Sequence, residues 1–160
     1  MNHTLVKFVV CFLLVGSYFF LPKYGFTAFD SNLTDHFLYP ISHANIWHLA
    51  ANILCLWMLP CPTHICTTFV LAVLCSFLPC PPLPLYGESD ALTMGFSGVL
   101  FAMVGISWGK VGRFKDMIRK NKWYLIIPAF LPHVNFLIHI YCLLAGYLYG
   151  MLCAKKSKNS

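Results

Sequence analysis

The chain has 160 residues, 59% of them hydrophobic and 10% charged, with a mean hydropathy of +0.70 and a net charge of +6. A soluble domain is nearer half apolar and a quarter charged, so this composition excludes an ordinary soluble globule and indicates a single-domain integral membrane protein. The positive charge does not indicate nucleic acid, because the basic residues flank apolar segments: they gather between 110 and 122 and again at Lys155, Lys156 and Lys158.

A membrane-crossing helix needs about 20 apolar residues. Six segments are candidates: 4–21, 46–59, 64–78, 92–109, 123–131 and 134–153, an all-α polytopic bundle within one domain, 1–160. The first reads as a helix and not as a signal peptide, since no small-x-small site follows "SYFFLPKYG". Proline separates several of the others, at Pro60, Pro62, Pro79, Pro81, Pro82, Pro84 and Pro132. Proline entering a helix costs it a hydrogen bond, so these residues mark joins. The break at Pro132 divides the apolar run 123–153 into two passes.

Charge sets the expected orientation. With the N-terminus inside, Lys110, Arg113, Lys115, Arg119, Lys120 and Lys122 occupy an inner loop with Asp116, and the basic tail is also inside. Lys7 joins them. Lys23, Asp30, Asp35, Glu88 and Asp90 fall outside. This matches the positive-inside rule and places both termini in the cytoplasm.

Under that topology the second, fourth and sixth segments all enter from outside. At ~1.5 Å per residue, Ser97 and His139 each lie ~8 Å below the outer ends of their helices. His48 and Asn52, four apart and therefore on one face, bracket a similar depth. Gly98, Ala102, Gly105 and Gly109 form one small-residue stripe, and Cys142, Gly146 and Gly150 continue another from His139. Such stripes let membrane helices pack closely, which would bring the Ser97 hydroxyl to the His139 ring. A serine hydroxyl is a weak nucleophile until a neighbouring base takes its proton. The oxyanion that then develops needs donors. His48, Asn52 and the Ser97 backbone N–H are the candidates, with Gly95 and Gly98 leaving the backbone uncrowded. Every carboxylate expected on the outer side lies in a loop, so a Ser–His dyad is expected instead of a triad.

These residues resemble the motifs of the rhomboid intramembrane serine proteases. "HANIWHLAAN" is similar to the family's H-x-x-x-x-H-x-x-x-N, through His43, His48 and Asn52. "GFSGVLFAMVG" resembles its G-x-S-G motif, with Ser97 as nucleophile, and "HIYCLLAG" resembles the sixth-helix motif carrying His139. The resemblance covers nearly the whole chain in order. It implies a serine endopeptidase with no metal and no cofactor, acting as a monomer in the bilayer on single-pass transmembrane proteins. It implies an oxyanion hole of His48, Asn52 and the Ser97 amide, a supporting His43, and a site open to the extracytoplasmic side. The fifth helix and the outer loop after it would gate lateral access. Two positions depart from the family pattern. Phe101 stands where bacterial members often have a tyrosine that packs on the histidine. Cys142 stands where glycine is frequent, and its bulk is expected to hold the fourth and sixth helices slightly apart. The first outer loop, 22–42, is also short.

Each residue taken singly has a plainer reading. A membrane serine commonly bonds the backbone one turn back. Asn45 fits an N-cap. His36, His64 and His133 fit interfacial positions, and His43 fits a structural role. The sequons at Asn2 and Asn32 read as chance matches. Cys11, Cys55, Cys61, Cys66, Cys75, Cys80, Cys142 and Cys153 include no C-x-x-C pair and read as small hydrophobes. Two rival functions stand beside the peptidase. One is a catalytically silent rhomboid-like protein that binds membrane clients; silent relatives typically lose the serine or the histidine, and this chain keeps both. The other is a haem or metal protein using His48 and His139. The H-E-x-x-H signature of zinc membrane proteases is missing.

Overall fold

A computed structural model describes residues 2–27, 31–59, 64–79, 92–112, 114–126 and 135–159. Pro60, Cys61, Pro62, Cys80, Pro81, Pro82, Pro84, Pro132, His133, the acidic residues Asp30, Glu88 and Asp90, and positions 127–131 of the fifth expected segment lie outside these residues. Seven α-helices are described: α1 (His3–Phe20), α2 (Leu33–Leu38), α3 (Ile46–Met58), α4 (Ile65–Ser76), α5 (Ser97–Val111), α6 (Phe114–Ile126) and α7 (Phe136–Asn159), with a 3₁₀ turn at Tyr39–Ile41. The all-helical expectation holds among the described residues. α1 and α7 are long and apolar enough to cross a membrane, whereas α3, α4 and α5 are apolar but shorter. The two sequon asparagines are helix caps: the Asn2 side chain accepts from Thr4 and Leu5, and Asn32 forms a capping box with Asp35.

Three expected boundaries need correction. The fourth segment begins at Ser97, not at residue 92. Phe26 and Thr93 exchange backbone hydrogen bonds of 3.0 and 2.8 Å, holding the preceding residues extended. Gly95 then turns with φ +120°, a conformation that excludes a helix and suits only glycine. The basic stretch 110–122 is mostly not a loop. It leaves α5 through the left-handed Gly112 and becomes the polar half of α6. The sixth segment starts at Phe136, where the Asn135 side chain accepts from the Ile138 N–H at 3.4 Å, and continues to Asn159.

α5 occupies the centre. Gly98, Val99, Leu100, Ala102, Met103, Gly105, Ile106, Trp108 and Gly109 are buried, covering all sides of the helix. Its contact with α7 is backbone to backbone. A Cβ at Gly105 would strike the Leu143 carbonyl, and one at Gly146 would strike that of Ala102. Gly109 meets Tyr147 and Gly150 meets Ile106 in the same way, so the two helices run parallel. The expected separation at Cys142 does not occur. Its sulfur is fully buried and lies 3.3 Å from where a Gly98 Cβ would stand, so the missing side chain on α5 makes room for it.

α3 runs parallel to α5 and α7, with its first turn beside Gly95. α1 runs antiparallel to α3: the buried Lys7 donates to the carbonyls of Trp57 (3.0 Å) and Leu59 (2.6 Å), the orphan acceptors at the end of α3. α4 is antiparallel to α5, since His64 at its start meets Lys110 at the end of α5, with Nε2 and Nζ 2.9 Å apart.

Candidate active site

The parallel arrangement gathers the N-termini of α3, α5 and α7. His48 lies in the first turn of α3, Ser97 is the first residue of α5, and His139 lies in the first turn of α7. Ser97 and His139 are nearer their helix starts than the sequence suggested, because the fourth and sixth helices begin later, yet all three residues share one level.

Ser97 Oγ and His139 Nε2 are 2.8 Å apart, a hydrogen-bond distance. The ring is held from one side by Phe101, stacked with centroids 4.5 Å apart and planes 14° apart. Phe101 therefore helps to orient the imidazole by stacking only, where a tyrosine would add a hydroxyl. His139 is buried, and its Nδ1 has no hydrogen-bond partner among the described residues. Asp35 is engaged with the Asn32 backbone at the start of α2.

The wall facing this pair comes from α3. Asn45 caps the helix by accepting from the His48 N–H at 2.9 Å, as its sequence position suggests. Around Gly95 the side chains are tight. A Cβ there would lie 2.6 Å from His48 Cε1, 2.7 Å from its Nε2 and 3.5 Å from Asn52 Nδ2. His48 and Asn52 thus flank the turn two residues before Ser97. The buried Asn52 Nδ2 has no hydrogen-bond partner among the described residues. A buried amide donor without a partner is uncommon and needs an explanation. Phe96, the N-cap of α5, makes no side-chain capping bond. The first N–H groups of α5, Ser97 among them, form the positive end of that helix.

His43 sits behind the wall. Its Nε2 accepts the Phe96 N–H at 3.5 Å, and its ring packs edge-on to His48 with centroids 5.2 Å apart. Burial, with a smaller contribution from the neighbouring His48, pushes the His43 imidazole down from 6.5 to about 4, against an opposing pull from the Ile41 carbonyl. It is neutral near neutral pH and so can accept.

The scaffold beneath these groups was not anticipated from the sequence. The Tyr39 carbonyl accepts from the Gly95 N–H at 2.8 Å, while its phenol donates to the Ala72 carbonyl at 2.8 Å. Asn135 donates to Thr93 Oγ1 at 2.9 Å, tying the start of α7 to the extended residues that lead to Ser97. The tyrosine-proline pair at 39 and 40 was the available signal for a buried turn. His36 is not a simple interfacial residue. It stacks between Phe26 and Phe77 and contacts Ser76 Oγ at 2.9 Å. Burial lowers its pKa, partly offset by Asp35.

A family model described as the rhomboid domain matches residues 30–156. A rhomboid protein of Acanthamoeba polyphaga mimivirus is 26% identical over 156 residues, covering 92% of this chain and 90% of that one. The match spans the segments that carry His43, His48, Asn52, Ser97 and His139, and runs from just before α2 almost to the end of α7. The chain is therefore a member of the rhomboid family of membrane proteins.

Proposed function

We propose that this protein is an intramembrane serine endopeptidase that cleaves single-pass transmembrane proteins with a Ser97–His139 dyad. The 2.8 Å approach of Ser97 Oγ to His139 Nε2 carries this reading. With its proton on Nδ1, His139 offers the Nε2 lone pair to the Ser97 hydroxyl. The Oγ attacks the scissile carbonyl as Nε2 takes the proton. The oxyanion develops against the start of α5, where the Ser97 N–H donates, with His48 and Asn52 donating from α3. His139 then returns the proton to the leaving amine, giving an acyl-serine. Water activated by the same imidazole releases the carboxylate. Phe101 positions the imidazole, and His43 holds the Phe96 amide that leads into the oxyanion turn. No step uses a metal or a cofactor.

The proposed setting is a multi-pass bilayer protein of six spans, acting as a monomer. Lys7, Lys110, Lys155 and Lys156 lie at the end of the bundle opposite Ser97. The positive-inside rule then puts both termini in the cytoplasm and opens the site to the extracytoplasmic side. A helical substrate would enter beside α6 and the segment after it, and small residues near its cut site would ease unwinding.

The test is cleavage of a single-pass transmembrane substrate by the purified, reconstituted protein. Wild type is expected to cut it, and Ser97→Ala and His139→Ala to leave it intact. Cleavage that survives both substitutions would remove the dyad from the mechanism. A folded wild type that binds such substrates without cutting any of them would favour the silent client-binding reading.

A further inference from the structure

The polar half of α6 has no part in the chemistry above. Lys115, Arg119 and Lys122 are spaced i, i+4, i+7, on one face of the helix, and all are exposed. Lys120 beside them is exposed as well. The one acidic residue in this half, Asp116, lies 3.8 Å from Arg119, a loose contact that leaves the guanidinium 79% exposed.

This face is fixed in place. Phe114, at the start of α6, packs on Trp108 of α5 and Tyr147 of α7, with centroids 6.3 and 4.6 Å apart. The parallel register of α5 and α7 then sets its level. Gly109 lies against Tyr147 and Met151, so the end of α5 and the start of α6 are level with the last turns of α7. Those turns carry the exposed Lys155 and Lys156. The apolar span of α7 runs from Phe136 to Ser157, so these lysines mark where hydrocarbon gives way to headgroups. The start of the basic face of α6 is held at the same boundary.

We infer that this face binds the headgroups of anionic phospholipids in the leaflet at that end of the bundle. Charge complementarity and depth select this occupant. Clustered lysines and arginines next to a membrane span attract acidic lipids, and each charge adds to the attraction. Arg119 also offers a planar fork to a phosphate. An acidic soluble protein would meet the same charges, but the bilayer surface is already at that level. The inference does not depend on the peptidase reading, because Ser97→Ala protein should bind the lipid as wild type does.

The test is native mass spectrometry of the full-length protein in mild detergent, with phosphatidylglycerol or phosphatidylcholine of identical acyl chains added. Wild type should retain phosphatidylglycerol over phosphatidylcholine by about tenfold. The Lys115→Gln/Arg119→Gln/Lys122→Gln variant should bring that ratio close to one. Lys23→Gln, an exposed change at the opposite end, should leave it unchanged. Circular dichroism of each variant checks that the helices remain. Equal retention of the two lipids by wild type overturns the inference, as does an undiminished ratio in the triple variant or an equal loss in Lys23→Gln. Binding of a polyglutamate peptide without lipid preference would assign the face to an acidic protein and overturn it too.

Discussion

The two ends of the bundle are built from the same three parallel helices and do opposite things. At one end α3, α5 and α7 begin, and their partial positive charges converge where His48, Ser97 and His139 lie. At the other end they finish, and cations meet their exposed carbonyls or lie beside them. Lys7 caps α3 directly, Lys110 sits in the last turn of α5, and Lys155 and Lys156 lie near the end of α7. In the proposed mechanism the first end favours negative charge that appears only during a reaction, while the second supplies permanent positive charge. Between them is a seam where Gly105 and Gly146 let two backbones touch. Parallel packing thus separates the proposed site for a transient anion from a basic surface.

This contrast can be broken from either side. The largest effect is expected at the dyad, where Ser97→Ala or His139→Ala should lower cleavage by about 10⁴-fold or more, read as single-turnover rates in liposomes. His48→Ala and Asn52→Ala should each cost about 10²-fold in the same assay without lowering the melting temperature. A loss as deep as that of Ser97→Ala would mean that they do more than donate to an oxyanion. Gly146→Val acts on the seam: overpacking against the Ala102 carbonyl should destabilise the fold by about 3 kcal/mol, seen in thermal melts. A normal melt would show that the helices do not touch there.

His43 gives a pH signature at the active end. Its pKa falls from 6.5 to about 4 on folding, so the unfolded chain binds the extra proton first. Its contribution to stability is complete above pH 6.5 and is lost progressively as the pH falls toward 4. The melting temperature of His43→Gln should therefore fall less steeply than that of wild type across that window, and identical slopes would count against a buried neutral His43. The smallest effect is expected at the basic end. Lys7→Met should cost about 1 kcal/mol by uncapping α3, with the cleavage rate unchanged.

Much of this was legible in the sequence wherever one residue type has one physical use. The glycine stripes at Gly105, Gly109, Gly146 and Gly150 required close packing, and Asn45 could be read as a cap. The meeting of Ser97 with His139 followed from those stripes. The start of α5 was not legible, because Leu92 to Phe96 are as apolar as the helix they precede. What ends the helix there is a long-range pairing of Thr93 with Phe26, and local periodicity does not encode such a pairing. The same limit hid Tyr39, whose carbonyl reaches the turn before α5 and whose hydroxyl reaches the backbone of α4. The stretch 110–122 was read as a loop because its charges serve topology, yet lysine, arginine and methionine are good helix formers and its one glycine lies at the start. The bulk of Cys142 was judged on its own, whereas its cost depended on Gly98 across the interface.

Covalent capture of Ser97 tests the central claim most directly. The intact protein would be treated with a fluorophosphonate, which reacts with a serine hydroxyl only where a neighbouring base activates it, and the adduct located by peptide mass spectrometry. The account predicts a single phosphonyl group on Ser97, lost in Ser97→Ala and in folded His139→Ala protein and reduced in Asn52→Ala. An unlabelled Ser97 in folded wild type, or labelling that persists in His139→Ala, would contradict it.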